Sequence, residues 1–180
     1  AMTRIAALKR AEMNEEQGRV FDAAEKAGNP TGGPYTAYIH TPKIMEVSQT
    51  LSATVREYGL SRRERQIAIL TVVRHWDSKF PWAAQARDSL APGLDQATIE
   101  AINARKAPSL SDAREKLAHQ VASELLANHA ISDATYKAAE KAFKTEELVA
   151  LVATVGQFCM VSCTANAFDI TAPPGAPALN

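Results

Sequence analysis

The chain has 180 residues, 20 Lys and Arg against 20 Asp and Glu, 46% hydrophobic content and two cysteines. That length suits one domain whose core buries most of its apolar surface, so neither metals nor disulfides are needed for stability. Zero formal charge argues against a generic polyanion binder, because nucleic-acid proteins carry a basic excess that releases counterions; we expect no nucleic acid partner, no membrane, no cofactor and no metal.

Ala1-Met2 reads as an appended dipeptide, and no apolar run of signal-peptide length follows it. Asn14, with Glu15, Glu16 and Gln17 behind it, caps a helix that stops before Gly28-Asn29-Pro30. Residues 28–34 hold three Gly and two Pro and form a loop. Thr41-Pro42 then puts proline in the first turn of a second helix reaching Tyr58-Gly59. Ser61 and Glu64 make a capping box for a third helix over 62–76. Its apolar set of Ile67, Ile69, Leu70, Val72 and Val73 is wide, which makes it the central helix. Pro81 begins a short helix ending near Pro92-Gly93, and Asp95 caps another to about Arg105. Ser111 and Glu115 open a helix ending near Asn128-His129, and Ser132-Asp133 opens one to about Phe143.

Thr145-Glu146-Glu147 opens the last helix. Its stretch from Leu148 to Phe168 runs 21 residues without a charge, long enough to raise the question of a bilayer span. Thr154, Gly156, Gln157, Ser162, Thr164 and Asn166 interrupt it, and no Lys/Arg cluster follows. That fits a helix buried inside a protein or an oligomer. From Thr171 the Pro- and Gly-rich tail reads as an extended arm. Spacing at three and four recurs nearly throughout, so the fold class is all-α.

The run LSRRERQIAILTVVRHWDSKFPWAAQA from Leu60 to Ala86, followed by Gly93-Leu94 and Ile99-Glu100-Ala101-Ile102, resembles the carboxymuconolactone decarboxylase family. That family includes the alkyl-hydroperoxidase-D-like (AhpD-like) proteins. His40-Thr41-Pro42 upstream and Asn166-Ala167-Phe168 with Pro173 and Pro174 downstream extend the likeness over most of the chain. The resemblance implies one domain over residues 1–180, an antiparallel bundle of about seven to eight helices. N-terminal helices take 13–59, the family motif 60–105, C-terminal helices 111–170 and the tail 171–180. It also implies a homo-oligomer, a trimer or hexamer, with a dimer as the alternative.

Redox members resemble one another in a glutamate on the central helix, a Cys-x-x-Cys pair and a histidine four residues past the second cysteine. There a thiolate attacks peroxide or disulfide while Glu and His manage its proton. Aligned on Arg65, Trp76 and Gly93-Leu94, those positions hold Gln66, Ser78, Pro81 and Gln85. Glutamine does not titrate, serine without a base is a poor nucleophile, and proline has no polar side chain, so thiol peroxidase activity is disfavoured. Cysteine-free members resemble Glu-Trp-x-x-His here, and Pro81-Trp82-Ala83-Ala84-Gln85 keeps only the tryptophan. The pocket position carries over: the C-terminal end of the central helix and the turn leading into Trp82.

Around that position His75 is the leading acid/base, with Asp77 to orient its ring and Lys79 to receive a substrate carboxylate. The alternative is a His75 packed in the interior and a surface Lys79. Trp76 and Trp82 either wall a ligand pocket or belong to the core. Gln66, Gln85 and Ser78 are candidate hydrogen-bonding groups for a neutral ligand, and His40 either approaches the same region or serves as a cap or core residue. Cys159 and Cys163, at i and i+4 on one helix face, are poorly placed for a disulfide and read as buried free thiols of a reducing, cytoplasmic compartment. Nothing joins His119 to His129, and the basic residues Arg62, Arg63, Arg65 and Arg74 are expected in salt bridges. These readings lead to a cofactor-independent enzyme acting on a small organic acid or lactone by acid/base chemistry, of lyase, decarboxylase or isomerase type. The alternatives are a non-catalytic oligomeric ligand-binding protein and, behind it, an antioxidant protein of the alkyl-hydroperoxidase kind.

Overall fold

A computed structural model describes residues 3–180; the dipeptide Ala1-Met2 lies outside the described residues. Among these residues there are nine α-helices and no strand: α1 (Glu15–Ala27), α2 (Tyr35–Tyr38), α3 (Pro42–Thr54), α4 (Arg62–His75), α5 (Lys79–Asp88), α6 (Gln96–Asn103), α7 (Ala113–Asn128), α8 (Asp133–Ala142) and α9 (Thr145–Ala167). The capping boxes form as expected: Asn14 Oδ1 accepts from Gln17 N, and Ser61 Oγ accepts from Glu64 N. Two starts differ from expectation. Asp112, not Ser111, caps α7, its carboxylate accepting from Glu115 N at 2.9 Å. Helix α5 begins at Lys79, so Pro81 is its third residue, where the missing N–H is still one of the four donors a helix start leaves unpaired.

The central helix is α4. Ile67, Ala68, Ile69, Leu70, Val72 and Val73 are at most 2% exposed, because α4 packs against α5, α6, α7 and α9 together. A smaller cluster of Val20, Ala24, Tyr38, Ile39 and Met45 joins α1, α2 and α3. The hydroxyls of Tyr38 and Thr164 meet at 2.7 Å and tie that cluster to α9. An ionic tie-bar links three helices: Arg114 of α7 reaches Glu64 of α4 at 3.1 Å and Glu147 of α9 at 3.0 Å.

By length and composition α9 is apolar enough to cross a membrane. One face of it, with Leu151, Thr154, Val155, Phe158, Ser162 and Ala165, is buried in the protein. Val149, Val152 and Met160 on the other face are exposed, so the expected burial holds for one side only. Cys159 is half-buried and Cys163 exposed, both free, which corrects the expectation of two buried thiols. The tail is extended but docked: Asn103 Nδ2 donates to the Ala178 carbonyl at 3.0 Å, and Asn180 N donates to Asn103 Oδ1 at 3.1 Å.

Candidate ligand-binding site

Gln66 on α4 and Gln85 on α5 face each other because α4 and α5 pack side by side. The Gln66 amide, only 6% exposed, donates to Gln85 Oε1 and to Ser89 Oγ, both at 3.1 Å. Ser89 Oγ in turn donates to the Gln85 carbonyl at 2.6 Å. Both Gln66 N–H groups are therefore spent on protein acceptors, which locks the Gln85 side chain at a fixed position. No member of this network titrates.

Gln85 lines a cavity of about 500 Å³ between the 28–34 loop, α3, α5 and α9. Tyr35, Phe80, Pro81, Phe158 and Val161 supply apolar walls; Arg56 and Gln157 supply polar groups. Gly33, in the left-handed region at φ 58°, lets the loop lie against the Phe80 ring, where a Cβ would collide with the ring carbons. Burial raises the Tyr35 phenol above its ordinary range, so it faces the cavity as a neutral hydroxyl. Asp88 and Arg87 sit at the rim and pair loosely at 3.4 Å.

The electrostatics favour an anion. Arg65, 9% exposed, has no hydrogen-bond partner at Nε among the described residues. Its charged form is disfavoured first by burial and then by Arg56 and Arg62. The expected salt bridging holds for Arg63 with Glu115 and Arg74 with Asp77, but among the described residues not for Arg62 or Arg65. A buried cation without a counter-charge is costly; Arg65 itself does not line the cavity, whose wall carries Arg56 and Arg87 against one carboxylate, Asp88.

The residues expected at one site are spread over several places. His75 lines a different cavity, of about 320 Å³, with Arg74, Arg105, Lys106, His119 and Ser123. Asp77 does not orient it: its Oδ1 accepts from Arg74 Nη1 and Arg105 Nη2, each at 2.6 Å. Lys79 lines a groove against the tail, away from His75. Trp76 is 36% exposed, edge-on to the His75 ring with centroids 6.3 Å apart, and its carbonyl accepts from Asn166 Nδ2 at 2.7 Å. Trp82 is 1% exposed and belongs to the core. Ser78 is fully buried at the start of α5, its Oγ unpartnered among the described residues. His40 is exposed, its Nε2 2.9 Å from the Ala6 carbonyl oxygen. Gln66 and Gln85 meet by a hydrogen bond, His75 and Trp76 meet edge-on, and Asp77 and Lys79 share the groove against the tail, so the expected residues form no single site.

No family model matches the chain, and no curated protein matches it. Seven solved chains are similar in structure; two of them show the extent of the likeness. One is described as an alkylhydroperoxidase AhpD core, an uncharacterized peroxidase-related protein from Ralstonia eutropha JMP134, with TM-score 0.79 and 14% identity over 97% of this chain and 94% of its own length. The fold is AhpD-like. The other, from Agrobacterium tumefaciens, is a protein of unknown function described as a candidate antioxidant defence protein AhpD; it has TM-score 0.69 and 17% identity over 76% of this chain and 95% of its own. Within this AhpD-like fold, Arg56, Tyr35 and Gln157 escaped the sequence reading. Gln157 registered only as a break in an apolar run, and Arg56 sits in a 3-10 turn, Val55–Glu57, read as helix.

Proposed function

We propose that this chain binds a small amphipathic organic acid in the cavity beside Gln85, holding the ligand without acid/base chemistry from the Gln66–Gln85–Ser89 network. The observation that carries this reading is the pairing of an apolar-walled cavity with Arg56 and two amides, Gln85 and Gln157. A carboxylate placed at Arg56 gains charge-assisted hydrogen bonds, while the ligand body is shielded by Phe80, Pro81 and Phe158. Neither Cys159 nor Cys163 lines that cavity, which counts against a thiol peroxidase. The test is a calorimetric titration with small carboxylic acids and lactones: R56Q should weaken acid binding by about 10-fold or more. Equal affinities for acids in both proteins would refute the reading.

A second reading, the acid/base enzyme, is favoured by one observation. His75 is exposed and lines a cavity that also holds His119. Asp77, engaged by Arg74 and Arg105, is not the partner of the imidazole. Turnover of a lactone or organic acid that H75Q abolishes, with R56Q unchanged in kcat, would favour it.

We further propose a homo-oligomer, a trimer or hexamer, assembled through the outer face of α9, since Val149, Val152 and Met160 leave an apolar stripe uncovered. Both cysteines are free, which suits the reducing cytoplasm.

A further inference from the structure

The cavity beside His75 has a charge balance unlike the rest of the molecule. Arg74, Arg105 and Lys106 line it together with His75 and His119, and among the described residues no carboxylate lines it. The acid nearest in the hydrogen-bond network is Asp77, which already serves both arginines. Arg74 is largely committed: Nε donates to the Asn103 carbonyl at 2.7 Å, Nη1 to Asp77 at 2.6 Å and Nη2 to the Asn180 carbonyl at 3.4 Å. Arg105 uses only Nη2 on Asp77, and Lys106 has no ion-pair partner among the described residues.

Helix ends explain part of this clustering. Arg74 and His75 close α4, and Arg105 and Lys106 follow α6, where each C-terminus carries about half a negative charge. Three full cations against one carboxylate and two half-charges still leave an excess of about one positive charge at the cavity. The backbone adds a second observation. Asp77 and Arg105 both occupy the left-handed region, at φ 50° and 59°, a conformation that costs a non-glycine residue free energy and persists only where its surroundings enforce it. These two residues are salt-bridged to each other, so the strained pair fixes the Arg105 guanidinium, which lines the cavity.

Opposite the cations, α7 supplies His119, its Nε2 3.3 Å from Ser123 Oγ. Burial lowers its pKa, so it enters the cavity as a neutral imidazole able to donate or accept. Ile102 and Leu126 complete the wall with apolar surface. We infer that this second cavity binds a small oxyanion, a phosphate or carboxylate group on a compact organic body, held by Arg105 and Lys106 with His75 and His119 against it. It goes beyond the organic-acid site at Gln85 and shares no lining residue with it.

Inorganic phosphate and succinate, titrated separately at constant ionic strength and followed by the carbon-bound ring proton signals of the four histidines, test this. The expected result is saturable shifts at His75 and His119 with at least one probe, none at His40 or His129, and affinity lowered about tenfold or more by K106Q. K43Q, in α3 and outside the lining of both cavities, should leave the affinity unchanged, and an unaltered melting temperature of K106Q shows that its fold is intact. R56Q should bind the probe as the parent does, which separates this site from the one beside Gln85. Saturation by phosphate alone or succinate alone identifies the oxyanion. Linear shifts with both probes, or equal binding by K106Q, would overturn the proposal.

Discussion

Replacing Arg114 by methionine keeps an unbranched, flexible stem of shorter reach and removes the guanidinium charge. Arg114 Nε donates to both Glu64 oxygens at 3.1 Å, and Nη2 donates to Glu147 Oε2 at 3.0 Å. The guanidinium also lies 4.5 Å from the centre of the Phe143 ring. Glu64 and Glu147 side chains are 6% and 9% exposed, so the variant leaves two buried carboxylates without their cation. Breaking one side of a buried pair costs about 3–5 kcal/mol. Here the lower end applies, because Arg114 is 31% exposed and both carboxylates keep a backbone N–H from their capping boxes. A loss of about 3 kcal/mol lowers the melting temperature by about 6–12 °C for a chain of this size.

The pH dependence supplies the control. The Lys144 N–H first, and then Arg114, hold the Glu147 carboxyl below its ordinary range. A depressed carboxyl contributes stability that is full above its unfolded pKa and is lost as pH falls through the folded one. The gap between R114M and the parent should therefore be widest near neutrality and narrow below about pH 4.5 as the Glu147 carboxyl protonates. Calorimetric melts from pH 7 to pH 3.5 measure it. A shift under 2 °C at pH 7, or a gap that stays constant with pH, would show that the three-helix tie-bar is only a solvated surface pair.

Three further outcomes are expected. W82A should cost about 3–5 kcal/mol by urea denaturation, since Trp82 is a filled core position and not a ligand wall; a cost below about 1 kcal/mol would return it to a solvent-facing wall. Burial lowers the His119 pKa from 6.5, so its neutral form contributes stability that is full above pH 6.5 and declines as pH falls towards the depressed value. H119Q should flatten that decline, and an unchanged slope between pH 7 and pH 5 would refute the assignment. V152D should shift the sedimentation of the proposed oligomer to that of a monomer while leaving the helical circular dichroism intact, because Val152 faces outwards from α9.

Elements whose signals are local were legible in the sequence. Ser61 with Glu64, Asn14 with Gln17 and the wide apolar face of α4 each depend on residues within a turn or two of one another. Helix α2 was missed because four residues after a Gly- and Pro-rich loop leave no periodicity to read. The site divides in the same way. Gln66 and Gln85 were found through a resemblance in one continuous run, and the structure brings them to hydrogen-bond distance. Asp77 looked like a partner for His75 from proximity along the chain. A helix C-terminus in the left-handed region instead turns its carboxylate towards Arg105, a residue brought near only by the packing of α6. Arg56, Gln157 and His119 reach their cavities through tertiary packing of distant helices, for which no short-range pattern exists.

The most direct test of the organic-acid site is a diffraction map from crystals soaked in a mixture of small carboxylic acids and lactones. Density is expected in the cavity between α5 and α9, with a carboxylate at Arg56 and its polar end within hydrogen-bond reach of Gln85 or Gln157. An empty cavity there at saturating acid, or density with the carboxylate pointing away from Arg56, would contradict it.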